Sequence, residues 1–289
     1  MTVEGLIQAL ALGILAGSIY GIVSAGLSLV FGVMRLVNFA HGAFMMVAMY
    51  IAYAFTRSTG WSVYASIPVV IICLAALGYA VFFVFFRTPA LEERHNDQLI
   101  ISLAVAILIE AVAQQIFTSE PKVVEGPVGG ISLGSFVLPT AQLIGFFVAV
   151  LGFIVLDAVL NRTRNGRALR AIVADREMAR LLGIPVQNLY VTAFVLSVVL
   201  AGVAGVVLVA YYPVTPITGM NFVLISFICV LLGGVGDVYG TFVAGLLVGI
   251  VQSLTAAFWY PSYQDIIVYL VFVLTVMLRP RGLLGRAYA

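Results

Sequence analysis

The strongest constraint on this chain is a series of apolar runs, each about as long as a lipid bilayer is thick. A helix rises about 1.5 Å per residue, so roughly 20 apolar residues cross the hydrocarbon core. Such runs occur at 5–30, 39–56, 63–86, 98–118, 138–160, 187–211, 222–236, 238–258 and 263–279. They predict nine crossings, or eight if one of them is only partial. The run 222–236 is the weakest, because it covers only roughly two-thirds of the hydrocarbon core and ends in the helix-breaking Gly233-Gly234-Val235-Gly236-Asp237. Only 9% of residues are charged and 63% are hydrophobic, whereas soluble domains carry about 25% charged residues. Such a chain cannot cover a water-facing surface. The expected fold class is an all-α, polytopic transmembrane helix bundle of eight or nine spans, forming one domain over residues 1–289.

Arginine sets the expected orientation. Arg87 and Arg94 lie in the loop 87–97; Arg162, Arg164, Arg167, Arg170, Arg176 and Arg180 in the segment 161–186; Arg279, Arg281 and Arg286 in the tail. The opposite loops hold only Arg57 and Lys122. Basic loops stay cytoplasmic, so nine crossings put the amino terminus outside and the carboxyl terminus inside. The opening Met1-Thr2-Val3-Glu4 has no basic stretch and leads into a run too long for a signal peptide, so that run is read as the first span. The two cysteines, Cys73 and Cys229, lie in apolar runs and are expected to be buried free thiols.

Two polar segments stand out. The segment 161–186 is the one sizeable cytoplasmic excursion, and Ala168–Leu182 has no Gly or Pro and is rich in helix formers, predicting one helix stopped by Gly183 and Pro185. It is either a basic loop that sets topology or a docking helix for a cytoplasmic partner. The outer loop 119–137, with Glu120, Pro121, Lys122, Glu125, Gly126, Pro127, Gly129 and Gly130, is a connector, a short hairpin or a receiving site for an external partner. A short likeness between Phe39-Ala40-His41-Gly42-Ala43-Phe44 and Val238-Tyr239-Gly240-Thr241-Phe242 hints at a repeat of the kind found in transporters.

Catalysis finds few parts. There is no G-x-S-x-G, no H-E-x-x-H and no P-loop, and the sole lysine is Lys122. Gly234-Val235-Gly236-Asp237 spells the G-x-G-D of intramembrane aspartyl proteases, but that chemistry needs a second buried Asp. Asp157 and Asp265 both lie near span ends, and neither follows a Tyr. A glycine-broken helix turn is the plainer reading. Glu110 lies mid-span with Gln114 one turn on; an intramembrane carboxylate normally faces the bundle interior. Its role is an interhelical hydrogen bond, part of a substrate path, or proton coupling. Asn38, His41 and Gly42 sit where one span ends and the next begins, and Asn221 and Gln252 are also at membrane depth. Ala201-Gly202-Val203-Ala204-Gly205 and the pair Gly245 and Gly249 favour close helix packing.

Three stretches resemble the permease subunits of bacterial branched-chain amino-acid ABC importers, of the LivH type. They are Gly26 through Gly42 (GLSLVFGVMRLVNFAHG), Arg167 to Ala171 with Asp175 to Ile184, and Leu231 to Gly236 with Gly240 following. The likeness runs from about 5 to 284. The second stretch is similar to the ATPase-coupling segment of importer permeases, E-A-A-x-x-x-G, here Glu177, Met178, Ala179, Arg180 and on to Gly183; Met178 departs from the second position. The resemblance implies an inner-membrane permease domain without its own ATPase site, ATP being bound by partners, and no cofactor in this chain. It implies a second permease subunit, two cytoplasmic ATP-binding subunits and an external substrate-binding protein, with the bilayer as solvent and no nucleic acid. It implies import of branched-chain amino acids, although relatives carry other amino acids, urea or amides. Asn38, His41, Gly42, Glu110 and Asn221 are the expected translocation-path residues. The competing reading is an ion-coupled secondary transporter that uses Glu110.

Overall fold

The computed structural model describes residues 3–87, 95–124, 126, 129–133, 136–279 and 282. Arg94, Glu125, Pro127, Arg281 and Arg286, and the side chain of His95, lie outside the described residues. Each predicted span coincides with a helix: α1 Val3–Met34, α2 Ala40–Thr59, α3 Ile67–Val81, α4 His95–Phe117, α5 Thr140–Arg162, α8 Val186–Val209, α9 Thr218–Gly233, α10 Val238–Phe258 and α11 Gln264–Leu278. A 3-10 turn at Val63–Ser66 precedes α3, and a π-helical turn at Phe82–Phe86 extends it. Seven of these segments are long and apolar enough to cross a membrane by length and composition. The other two are α2, which is largely enclosed by protein, and α9, which has only 16 residues. Between α4 and α5 the chain forms a short antiparallel hairpin, β1 Gly130–Leu133 with β2 Phe136–Pro139. Lys122 and Val214 exchange two backbone hydrogen bonds of 2.9 Å, tying that loop to the segment before α9.

The bundle is organised around α1, which runs antiparallel to α10 along a seam of glycines. A Cβ on Gly13 would fall 2.7 Å from the Ile250 backbone, and one on Gly17 would fall 2.8 Å from the Gly245 carbonyl oxygen. Gly21, Gly245 and Gly249 continue the seam, and near its end Gly32 meets Gly236. Lipid tails are as apolar as leucine, so helices in a bilayer gain from close backbone approach rather than from expelling water. The small-residue patch of α8 works in the same way. Gly202 receives Leu74 of α3, and Gly205 receives Met45 and Ala48 of α2.

The turn between α9 and α10 accounts for the G-x-G-D sequence. Gly234 and Gly236 have φ of 107° and 80°, open only to glycine without strain, and Asp237 Oδ1 accepts the Gly240 N–H at 3.0 Å as the cap of α10. Asp157 accepts from Asn161, and Asp265 accepts from Gln252 at 3.3 Å. The three carboxylates have separate partners, and nothing here resembles a shared-proton pair. Cys229 is buried as expected, but Cys73 is exposed on the outer face of α3, whose apolar surroundings in the sequence are lipid-facing rather than core.

The glycine seam yields a stability prediction. Gly17→Leu should lower the thermal midpoint of the detergent-purified protein, because overpacking against fixed backbone costs about 1–3 kcal/mol. Ala80→Leu, at an exposed position on α3, should leave the midpoint unchanged. Equal midpoints for the two variants would contradict the seam.

Candidate functional site

Two regions hold most of the residues expected at a functional site: a hairpin on the arginine-rich side, and a break in the backbone inside the bundle.

The hairpin joins α5 to α8 and consists of two short helices, α6 Arg164–Ala174 and α7 Arg176–Leu181. The single helix expected over Ala168–Leu182 is therefore corrected. Asp175 takes an extended conformation (φ −153°, ψ 109°), and its Oδ1 accepts the Met178 N–H at 2.9 Å, starting a new helix. Asp competes with helical hydrogen bonding through its side chain, which favours a cap over a helix interior. Thr163 caps α6 through the Gly166 N–H at 3.0 Å. Gly183 closes α7 with φ 77°. There the Ile184 N–H reaches the Ala179 carbonyl at 3.1 Å and the Gly183 N–H reaches the Arg180 carbonyl at 3.0 Å. That pair of bonds is the Schellman arrangement, which needs a left-handed residue at this position.

These caps fix which side chains face inward. Leu169, Ile172 and Ala179 are buried against the bundle. Glu177, Arg180 and Gly183 are exposed. Met178, Leu181 and Leu182 are apolar and 52%, 81% and 73% exposed, outside the spans. Leu181 and Leu182 were not among the expected contact residues. Their exposure follows from the Asp175 break, which rotates α7 relative to α6. Arg176 places its guanidinium 5.3 Å from the centre of the Tyr190 ring. Burial lowers the Arg176 pKa from its ordinary value; the Tyr190 phenol opposes this, and Arg180 and Arg35 add to it. Beside the hairpin, at the start of α8, a cavity of about 510 Å³ is rimmed by Arg87, Gln187 and Asn188 and walled by Tyr79, Phe82 and Phe83.

The hairpin is also tied to the bundle by polar groups. Arg170 Nη1 donates to Asn161 Oδ1 at 2.6 Å, and Asn161 Nδ2 donates to the Tyr239 hydroxyl at 2.7 Å. Tyr239 lies in the first turn of α10, so α6, the end of α5 and the start of α10 share one hydrogen-bonded chain.

The second region begins where α1 ends. Arg35 has a left-handed φ of 55° and closes α1. Residues 36–38 then run non-helically back along α1 until His41 lies beside Val23, about 16 Å from the end of α1 by helical rise. Leu36, Asn38 and His41 are fully buried. Non-helical backbone at such depth needs every polar group matched. Asn38 Oδ1 accepts the Ala40 N–H at 3.0 Å, and Ser102 Oγ of α4 accepts the Phe39 N–H at 3.2 Å. His41 Nε2 is 2.9 Å from the Val23 carbonyl, which can only accept, so Nε2 carries the proton and Nδ1 accepts from the Ser197 hydroxyl at 3.3 Å. Gly42 meets Gly219 at the start of α9, backbone on backbone with no room for a Cβ on either.

The structure thus brings Asn38, His41 and Gly42 together as the packing of the break, with exposed Asn221 two residues beyond Gly219. Glu110 is placed apart from them. It is half-buried on α4, in one helical row with the exposed Leu103, Ile107 and Gln114. It lies at the edge of the inward face of α4, which is made by Ser102, Val105, Ala106 and Ala113.

The family described as branched-chain amino acid transport system / permease component matches residues 9–276. The chain belongs to this family. It is 29% identical to the high-affinity branched-chain amino acid transport system permease protein LivH of Escherichia coli K12, over 95% of this chain and 94% of that one. It is 24% identical to the high-affinity branched-chain amino acid transport system permease protein LivM of the same organism, over 92% of this chain and 68% of that one. Among solved structures, PsaBC from Streptococcus pneumoniae in complex with Fab shares the fold with a TM-score of 0.53 at 15% identity, covering 96% of this chain and 95% of that one. The chain is a multi-pass membrane permease of the ABC transporter family.

The caps of the hairpin are testable on their own. Asp175→Ala should cost about 1 kcal/mol of local stability and raise hydrogen exchange across 176–182 by about fivefold. Asp175→Asn, which keeps the acceptor, should exchange like the parent. Unchanged exchange in the alanine variant would contradict the assigned cap.

Proposed function

We propose that this chain is the membrane-spanning, non-catalytic permease subunit of an ATP-driven importer for branched-chain or related amino acids. The reading combines the family with one observation: an apolar tip, Met178, Leu181 and Leu182, held rigidly outside the spans. Exposed apolar clusters of this kind mark partner contacts. The partner is a cytoplasmic ATP-binding subunit, one of two, and the arginine-rich side is the cytoplasmic side, with the amino terminus outside and the carboxyl terminus inside. The substrate is delivered by an external binding protein. A second permease, related but not identical, completes the path, as the similarity of this chain to both the LivH and the LivM permease proteins of E. coli suggests. ATP is bound by the partners.

Mechanically, closure of the ATPases moves α6 and α7 together, since each is capped and anchored. Arg170, Asn161 and Tyr239 carry that displacement to the start of α10. The glycine seam couples α10 to α1, and α1 leads into the break at 35–39, the part of the spans least constrained by helical hydrogen bonds. Shifts there change how α2 and α9 meet, and these two helices start side by side at membrane depth.

Leu181→Arg puts a charge into the apolar contact, and interface hot spots are worth about 2 kcal/mol or more. ATP-driven uptake should fall by at least about tenfold, with membrane levels unchanged and less ATPase co-purified. Glu177→Ala and Gly183→Val should uncouple ATP hydrolysis from uptake. Normal uptake by all three variants would refute the docking role.

A further inference from the structure

At the edge of the buried face of α4 lies a carboxylate at membrane depth, Glu110, that this chain covers only in part. Glu110 is seven residues before Phe117, whose ring stacks on Tyr50 at 4.3 Å; helical rise puts Glu110 about 10 Å below that end of α4. Among the described residues Glu110 has no hydrogen bond or ion pair. Within the chain α4 packs chiefly on α2, and Ile107, Leu108 and Val112 stay about half exposed. Lipid tails offer no donor, so a carboxyl group left partly exposed at membrane depth is costly. The other outward helices present apolar side chains at comparable depth: Ile154 on α5 and Val273 on α11 are typical.

A second polar group without cover lies on α9, which packs on α2 as α4 does. Asn221 is exposed in the first turn of α9, whose Gly219 is pressed against Gly42 beside the break. Phe39 links the two helices: its N–H donates to Ser102 of α4, and its ring lies 5.0 Å from that of Phe227 of α9. Thus α4 and α9 flank the start of α2, and each shows an amide or carboxyl group where lipid cannot solvate it.

Resting on the importer reading above, we propose that the α4–α9 face is the surface covered by the second permease chain. That partner presents a hydrogen-bond donor or cation to Glu110, and the pair lies at the boundary through which substrate passes. The partner must itself be a membrane-spanning chain, because the groups to be satisfied lie below the reach of an external binding protein or a cytoplasmic ATPase.

Photo-cross-linking residues at Ile107 and Leu224 test this in the full complex purified with its subunits. The cross-linked product should contain the second permease, at about tenfold higher yield than from Ile154 or Val273. Glu110→Leu should lower the second permease recovered with the chain several-fold, and Glu110→Gln, which still pairs with a donor, should lower it less. Cross-links to the second permease from Ile154 or Val273 instead would overturn the face assignment and leave the importer reading standing. A product made of two copies of this chain would overturn the choice of partner. A complex containing no second permease at all would overturn the importer reading itself.

Discussion

In a bilayer, every backbone N–H and C=O must find its partner inside the protein, and the rest of this structure depends on how residues 35–39 meet that demand. A helix meets it automatically; an extended stretch does not. Here Asn38 Oδ1 accepts the Ala40 N–H, the Ser102 hydroxyl of α4 accepts the Phe39 N–H and reaches the Val37 carbonyl, and the His41 imidazole at its end bridges the Val23 carbonyl and Ser197, while Asn38 Nδ2 is buried without a hydrogen-bond partner among the described residues. Because those groups are available, α2 can start well inside the bundle, against the start of α9, with only Gly42 and Gly219 between their backbones. The short length of α9 then makes sense: it does not begin at a membrane surface.

The same demand for close approach shapes the long helices. The glycines of α1 and α10 let two backbones meet along most of their length, so the two helices tend to move as one body. The end of that body nearest the hairpin is held by Gly32 against Gly236 and by the Asp237 cap, and it is joined to α6 through Tyr239, Asn161 and Arg170. The chain thereby has a hydrogen-bonded and closely packed connection from the exposed tip of the hairpin to the irregular segment at 35–39. Function in this account follows from that connection and from no reactive side chain.

Much of the fold was legible because apolar length is a one-dimensional signal. All nine runs became helices within a few residues of their expected ends, and the weak run 222–236 became the short α9. The G-x-G-D turn and the small-residue patches were also readable, since glycine and a capping Asp act locally. What stayed hidden depends on which way a helix face turns. Apolar neighbours look alike whether they meet protein or lipid, so Cys73 reads as interior although it is exposed on α3, and Glu110 reads as interior although this chain buries it only in part. The break at Asp175 was missed because it involves neither Gly nor Pro, only a carboxylate that prefers a cap. Without that break, the exposure of Leu181 and Leu182 could not be seen. Asn38, His41 and Gly42 were marked as unusual from their position alone, but the bonds that hold them join α1, α4, α8 and α9, and no local pattern announces those.

The central claim is that this chain moves solute only with energy supplied through its cytosolic hairpin. Reconstitution into liposomes measures that directly, by following uptake of labelled branched-chain amino acid by the chain alone under a proton or sodium gradient, and by the assembled complex with ATP inside or outside. The account predicts accumulation only by the assembled complex, and only when ATP is on the side of the hairpin. Uphill uptake by the chain alone, driven by an ion gradient, would contradict it.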